Sequence, residues 1–146
     1  MNVLHQSNRP GVLATIAAAV FSVAAYSGMA FGEQVYVLLS GAQEVPAVKT
    51  SASGNGTITV NADMTVSGSI TTAEIVGTAA HIHSAAAGKN GPVAVALTKS
   101  GNNGWSVPAG AKLTADQYKA YKAGDLYINV HSAENKGGEI RGQLKP

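Results

Sequence analysis

Short segments of alternating aliphatic and polar residues recur from residue 34 to residue 144, and this alternation constrains the fold more than any other feature. A period of two is typical of a β-strand with one buried face, because successive side chains point to opposite sides of the strand. Glycines and turn-forming pairs such as Asn90-Gly91 separate the segments. Short strands at regular spacing with glycine-rich turns predict an all-β domain, either a β-sandwich or a small barrel.

The alternation predicts a series of strands and one shorter piece around Trp105, which is expected to cover the core or an edge, with carbohydrate stacking as the alternative. The predicted strands cover residues 34–39, 54–60, 64–70, 78–83, 93–97, 125–131 and 139–144. The second and third strands form a hairpin, because a turn signal lies between them at residues 61–63.

One helix is predicted at residues 115–123, which are mostly good helix formers. Thr114 is a suitable N-cap, and Gln117 follows at the spacing of a capping box. Gly124 is placed to end the helix. The sequence therefore predicts one short helix in an otherwise all-β domain.

The first part of the chain, residues 1–30, has the pattern of a secretory signal peptide. Arg9 gives it a weakly positive start, and an apolar run of small and branched residues follows at residues 12–25. This run is shorter than the about 20 residues that a membrane-spanning helix needs, so no stable membrane insertion is expected after cleavage. An uncleaved anchor is the alternative, and it too would place the folded domain outside the cytoplasm.

Small residues mark the cleavage site of this signal peptide. Cleavage before Phe31 fits the spacing of the small residues, and cleavage before Glu33 is the alternative, so that the signal peptide extends to residue 30 or 32. The folded domain then covers residues 33–146. We expect it in the periplasm or outside the cell.

Composition excludes several classes of function. The lysines are scattered singly and the formal net charge is +2, so no basic patch indicates nucleic-acid binding. The absence of cysteine excludes disulfides, thiolate metal sites and cysteine nucleophiles. Because the chain also has no Gly-x-Ser-x-Gly elbow and no phosphate-binding glycine loop, no catalytic residue is predicted.

Three of the four histidines, His81, His83 and His131, lie in two predicted strands, whereas His5 lies in the predicted signal peptide. Alternation places His81 and His83 on one face and Ile82 on the other. The aliphatic residues around His131 place that side chain on the same outer face. Imidazole is the commonest protein ligand for late first-row metals, so this face is a predicted copper or zinc site.

A structural role for the three histidines is the alternative. In that interpretation their ring nitrogens bond the backbone of the loops at residues 84–91 and 132–138 and hold these loops in place. Three imidazoles without a carboxylate are a minimal set of metal ligands, so the sequence leaves both interpretations open.

Several motifs in a fixed order resemble those of a chordin-type (CHRD) domain over residues 37–144. They are Leu-Ser-Gly-Ala-Gln-Glu-Val-Pro at 39–46, Ala-His-Ile-His at 80–83, Asn-Gly-Pro-Val at 90–93, Asn-Val-His-Ser at 129–132 and Gly-Glu-Ile-Arg-Gly-Gln-Leu at 138–144. This family occurs as repeats in a secreted vertebrate signalling antagonist and as single-domain exported bacterial proteins. The resemblance implies an exported binding or accessory module with an undefined protein or glycan partner.

A more distant similarity connects the histidines with copper. Residues 66–70 followed by His81-Ile82-His83 are similar to the part of copper/zinc superoxide dismutases that supplies two copper ligands, and Val130-His131 resembles a later ligand strand. This similarity implies a Greek-key β-sandwich, of superoxide dismutase-like or immunoglobulin-like type. It also implies copper, rather than zinc, at His81, His83 and His131. Two alternatives to a plain binding module follow, a protein that buffers or delivers copper and a weak dismutase-like enzyme.

The remaining candidate residues of the motifs, Glu44, Asn129, Glu139 and Arg141, are expected to support the site or the fold. In one interpretation Glu44 accepts a hydrogen bond that orients a histidine, and Arg141 guides an anion. In the other, these two residues form a salt bridge or bond the loop backbone, and thereby tie residues 41–53 to the last strand.

Overall fold

A computed structural model of the chain describes Met1 and residues 32–146, so all of the predicted signal peptide between residues 2 and 30 lies outside the described residues. Nine strands and one α-helix are found in these residues. They are β1 (Glu33–Ser40), β2 (Ser53–Val60), β3 (Val66–Ala73), β4 (Gly77–Ser84), β5 (Val93–Ala96), β6 (Thr98–Ser100), β7 (Gly104–Ser106), α1 (Ala115–Lys122), β8 (Leu126–Ser132) and β9 (Ile140–Leu144). No helix among the described residues is long and apolar enough to cross a membrane.

The strands form a single antiparallel sheet in the order β5-β4-β8-β9-β1-β2-β3-β7-β6. Its two ends approach each other, because the Leu97 amide donates to the Ala80 carbonyl at 2.9 Å and Lys99 Nζ donates to the Gly77 carbonyl at 2.8 Å. The sheet is thus nearly closed around one core. The predicted all-β fold with one short helix is confirmed, and the sandwich is built from one continuous sheet.

The core consists of the apolar side chains that alternate along the strands. Its members include Val35, Val37, Leu39, Ile58, Val60, Ile70, Ile82, Trp105, Leu126, Ile128, Val130, Ile140 and Leu144. Burying one such side chain contributes roughly 1.5–3 kcal/mol, and a strand shifted by one residue would expose all of its core residues at once. The buried residues therefore fix which face of each strand points outward.

Helix α1 begins at Ala115 as the sequence predicts and ends at Lys122, one residue before the predicted end. Thr114 Oγ1 accepts a hydrogen bond from the Gln117 amide at 3.2 Å, and Gln117 Oε1 accepts one from the Thr114 amide at 2.8 Å. Gly124 follows the helix with a φ of +77°, the left-handed conformation that glycine adopts at low cost. The ring of Tyr121 is fully buried and attaches the helix to the core.

Replacing Thr114 by alanine is expected to lower the free energy of unfolding by about 1 kcal/mol, because the Gln117 amide loses its acceptor. Urea denaturation of the variant measures this difference. The control is Thr114→Ser, which keeps a hydroxyl and should remain close to the wild-type protein. Equal stability of the alanine and serine variants would contradict a stabilising role of the cap.

Candidate metal centre

The antiparallel register of β4 and β8 brings the three histidines together. His81 lies opposite Asn129, and His83 lies opposite Tyr127. His131 follows Asn129 by two residues and is therefore a diagonal neighbour of His81 on the same outer face. One nitrogen atom from each ring lies within 4.8 Å of the other two. The sequence prediction that these side chains share a face agrees with this geometry.

Hydrogen bonds determine which nitrogen of His131 carries the proton and which has the lone pair. His131 Nδ1 lies 2.8 Å from the carbonyl oxygen of Lys136. A carbonyl oxygen only accepts, so Nδ1 carries the proton and Nε2 of the neutral ring has a lone pair. His81 Nδ1 lies 2.9 Å from His131 Nε2 and donates to it. This bond joins two of the three rings directly.

His83 has one ring nitrogen without a hydrogen bond of ordinary length to any described residue. Its Nδ1 donates to the carbonyl oxygen of Gly91 at 2.9 Å, so its Nε2 carries the lone pair. This Nε2 is buried and makes no hydrogen bond of ordinary length among the described residues, although the side chain of Asn129 lies close enough to act on the ring and raise its pKa. An unpartnered buried acceptor costs roughly 1–3 kcal/mol, and a bound cation would remove that cost.

The surroundings keep the imidazoles of His81 and His83 in the neutral form that binds metal. Burial lowers the pKa of His83, and the hydrogen bond to Gly91 opposes this effect in part. Burial also lowers the pKa of His81, and the nearby charges of His131 and His83 act in the same direction. His81 and His83 are therefore neutral at pH 7, as metal coordination requires.

The size of the cluster fits one small metal ion after a limited adjustment. Imidazole nitrogens bind copper-sized ions at about 2.0–2.1 Å, which places two ligand nitrogens roughly 3.4 Å apart. The 2.9 Å distance between His81 Nδ1 and His131 Nε2 would have to lengthen. The longer distances between ligand nitrogens, up to 4.8 Å, would have to shorten. The cluster contains neither a carboxylate nor a thiolate.

Tyr127 is the main site residue that the sequence analysis did not select. Its ring stacks on His83 with the centroids 4.9 Å apart and an interplanar angle of 5°. Its hydroxyl oxygen accepts a hydrogen bond from the Gly91 amide at 3.3 Å. Tyr127 thus supports both the His83 ring and the residue to which that ring donates. Its place on the same alternating face as His131 was the signal that could have identified it.

Loops cover the outer face next to the histidines, which explains why polar residues there are buried. Asn90 Nδ2 donates to the Val45 carbonyl at 2.8 Å, and Gln143 Nε2 donates to the Ala85 carbonyl at 3.1 Å. Asn129, two residues before His131, is buried under this cover. The predicted outer surface is therefore partly an interior, in which His83 is buried and His81 and His131 are half-buried.

Glu44 is one of the buried residues, with 6% of its surface exposed. Burial raises the pKa of its carboxyl group, while the Arg141 charge, the Val45 amide and the Asn129 side chain act in the opposite direction. The side chain of Asn129 also acts on His83, where its hydrogen-bonding interaction with the ring works to raise the pKa against the effect of burial. Glu44 does not reach a histidine directly, and Asn129 lies between them as the connecting side chain.

Arg141 lies under the loops and stacks on Tyr127, with its Cζ 3.4 Å from the ring centroid. It donates to Asn90 Oδ1 at 3.3 Å and to Gln143 Oε1 at 3.4 Å. Among the described residues it forms no direct ion pair with Glu44, although its charge acts on that carboxyl group. Because it is only 1% exposed, Arg141 does not face the solvent.

Glu139 lies outside the histidine cluster. Its Oε1 accepts a hydrogen bond from Thr50 Oγ1 at 2.8 Å. Hydrogen bonds from Ser132, Thr50 and Asn135 lower the pKa of its carboxyl group. Glu139 thereby attaches the segment between β1 and β2 to the loop before β9. This is the link that the sequence analysis assigned to Glu44 and Arg141.

Comparison with known proteins identifies the protein family to which these motifs belong. A protein-family model described as the CHRD domain matches residues 35–144, almost all of the described part of the chain. No curated protein and no solved structure matches the chain. The predicted CHRD resemblance is therefore confirmed, while the similarity to copper/zinc superoxide dismutase stays an expectation from the motifs.

Replacing Arg141 by methionine is expected to lower the free energy of unfolding by about 3 kcal/mol at pH 7.5, because Glu44 remains buried without a nearby positive charge. The difference in the free energy of unfolding between the variant and the wild-type protein should become smaller towards pH 5. The folded state of the variant holds the Glu44 proton at higher pH than the unfolded state, so stability is lost as pH rises through that window.

The double variant Glu44→Gln/Arg141→Met tests this explanation. It removes the uncompensated carboxylate and should be more stable at pH 7.5 than Arg141→Met alone. Urea denaturation at both pH values gives the comparison, with Arg141→Lys as the control that keeps the charge. A loss of stability that does not depend on pH would contradict the electrostatic explanation. The same holds if the loss in the double variant equals the sum of the losses in the two single variants.

The hydrogen bonds also predict the tautomers of the metal-free protein. His81, His83 and His131 should each carry their proton on Nδ1 at pH 7.5. Long-range ¹H–¹⁵N correlation spectra of the histidine rings distinguish the two tautomers. Protonation of His83 or His131 on Nε2 would show that the hydrogen bonds to Gly91 or Lys136 are not formed.

Proposed function

The chain belongs to the CHRD domain family, and we propose that it is an exported protein that binds one copper ion through His81, His83 and His131. Its role would be to buffer or deliver copper outside the cytoplasm. The observation that carries this proposal is the clustering of the three imidazoles, one nitrogen of each lying within 4.8 Å of the other two, and the buried Nε2 of His83 supports it. Export rests on the signal peptide that the sequence predicts.

The arrangement of hydrogen bonds supports a metal site over a purely structural cluster. Metal-binding histidines commonly donate their second nitrogen to a backbone carbonyl, which orients the ring. His83 and His131 both do so, towards Gly91 and Lys136. Nε2 would be the ligand atom of each. His81 would contribute Nδ1, the nitrogen that faces His131, after moving its proton to Nε2.

The donor set favours copper. Imidazole binds copper, zinc and nickel, and copper(II) forms the most stable complexes of the divalent first-row series. A structural zinc site has four protein ligands and a catalytic zinc site has three with one open position, so the three ligands of this cluster exclude only the structural kind of zinc site. A fourth position would therefore be available to water or to a donor from another molecule.

The exposure of the cluster supports exchange of the metal. His81 and His131 are half-buried, while His83 lies deeper. A ligand from a donor or acceptor molecule can therefore approach from the side of His81 and His131. This accessibility fits a buffering or delivery role better than a permanent structural ion.

Calorimetric titration of the purified protein with copper(II) and zinc(II) at pH 7.5 tests the proposal. We expect one equivalent of copper to bind, more tightly than zinc, and His83→Ala to abolish saturable binding because it removes the unpartnered ligand atom. His81→Ala is a second variant at a half-buried position and should also lose binding. Electron paramagnetic resonance of the copper(II) form should show coupling to nitrogen ligands.

Lys89→Ala is the matched control, because its exposed side chain lies in the loop of residues 85–92, which also holds Gly91, the hydrogen-bond partner of His83. It should bind copper as the wild-type protein does. Urea denaturation establishes that the histidine variants remain folded. Copper uptake that survives His83→Ala, or no saturable uptake by the wild-type protein, would make the histidine cluster structural.

A further inference from the structure

A second surface lies on the other half of the sheet, on the outward side of β1, β2, β3, β7 and β6. The strand register aligns its side chains in rows that cross the strands. The central row consists of Tyr36, Thr57, Ser69, Ser106 and Thr98. We refer to this outward side of the five strands as the hydroxyl face. It shares no strand with the histidine cluster, which lies on β4 and β8.

The hydroxyl face has no charge. Its outward positions carry serine, threonine, asparagine, glutamine, glycine, alanine, tyrosine and leucine, and the charged residues of the same strands, Glu33 and Lys99, lie at the alternate positions, in line with Val35 and Trp105. Exposed protein surface ordinarily carries such charged residues. A neutral face gives no attraction to nucleic acids, anionic membranes or charged peptides, so its complementary partner is an uncharged molecule.

The hydroxyl groups of the face are available to a ligand. The side chains of Thr57, Ser69 and Thr98 make no hydrogen bond to any described residue, and Ser106 Oγ makes one long contact of 3.5 Å. Each hydroxyl both donates and accepts, as sugar hydroxyls do. Neighbouring strands are about 4.8 Å apart, close to the length that one hexose occupies in an extended glycan chain.

Two large side chains stand out from this polar surface. Tyr36 is 65% exposed, and Leu38, on the same side of β1, is 61% exposed. An exposed tyrosine ring beside hydrogen-bonding groups can stack on the apolar face of a sugar ring. Trp105, for which the sequence left carbohydrate stacking open, is 3% exposed and belongs to the core. Tyr36 is therefore the aromatic side chain that this face offers.

From these observations we infer that the hydroxyl face binds an extended, uncharged polysaccharide. The glycan chain would run across the strands along the central row, with a sugar ring on Tyr36 and its hydroxyls bonded to Thr57 and Ser69. Binding there would hold the protein on a glycan matrix. It would be independent of the histidine cluster and of any metal.

Native affinity electrophoresis of the purified protein tests the inference, with uncharged hydroxyethyl cellulose and galactomannan in the gel as probes. We expect at least one of them to retard the protein, and the anionic polymer alginate to have no such effect. Tyr36→Ala should weaken binding about tenfold, the loss typical of an aromatic contact at the centre of an interface. Tyr36→Phe keeps the ring and should remain close to the wild-type protein.

Thr57→Glu introduces a charge at the centre of the row and should also abolish retardation. Its control is Ala87→Glu, which places the same charge on an exposed loop away from the face. Ala87 is exposed, and Thr57 is half-buried but points outward, so urea denaturation should show all variants folded. His83→Ala should be retarded normally, which separates this test from the test of copper binding.

Some outcomes would overturn the inference. One is the absence of retardation by either neutral glycan, and another is equal retardation by alginate. Sedimentation velocity tests the remaining alternative, a second copy of the chain on the same face. A dimer that Thr57→Glu dissociates would make the hydroxyl face an interface between two copies instead.

Discussion

The pairing of β4 with β8 is the constraint on which the histidine cluster depends. Ile82, Ile128 and Val130 face the core, and their burial allows only one register and one outward face for the two strands. A shift of one residue would turn the imidazoles of His81 and His131 towards the interior and expose the aliphatic side chains. The hydrophobic effect, which is not directional, thus positions the most directional groups of the molecule.

Next to the cluster, the molecule buries polar groups and compensates them incompletely. Glu44 and Arg141 are both almost inaccessible to solvent. The guanidinium group of Arg141 forms hydrogen bonds and stacks on the Tyr127 ring. One carboxylate oxygen of Glu44 has no hydrogen-bond partner among the described residues. Buried polar networks contribute little net stability but restrict the conformations that their members adopt. Here the restricted groups are Tyr127 and Asn129, which adjoin His83. The free-energy cost of burying Glu44 and Arg141 is therefore coupled to the orientation of the His83 imidazole.

The sequence predicts those parts of the structure that depend on local periodicity. The helix follows from the spacing of Thr114 and Gln117, and the shared face of the histidines follows from alternation. The loop cover of the outer face could not be predicted, because it depends on contacts between residues far apart in sequence. The hydrogen bond from Thr50 to Glu139, across 89 positions, is one example. Loop conformation is set by such tertiary contacts rather than by local propensity.

The closure of the sheet has a consequence for how copies of the chain behave towards one another. Open strand edges present unpaired backbone groups that can recruit strands from other molecules and start aggregation. In this protein Lys99 places its amino group on the Gly77 carbonyl at the edge of β4, and the Leu97 amide pairs with the Ala80 carbonyl. A lysine side chain occupies a position where a neighbouring strand would otherwise add. The fold thereby covers these two backbone acceptors of β4 at the seam where the ends of the sheet approach each other.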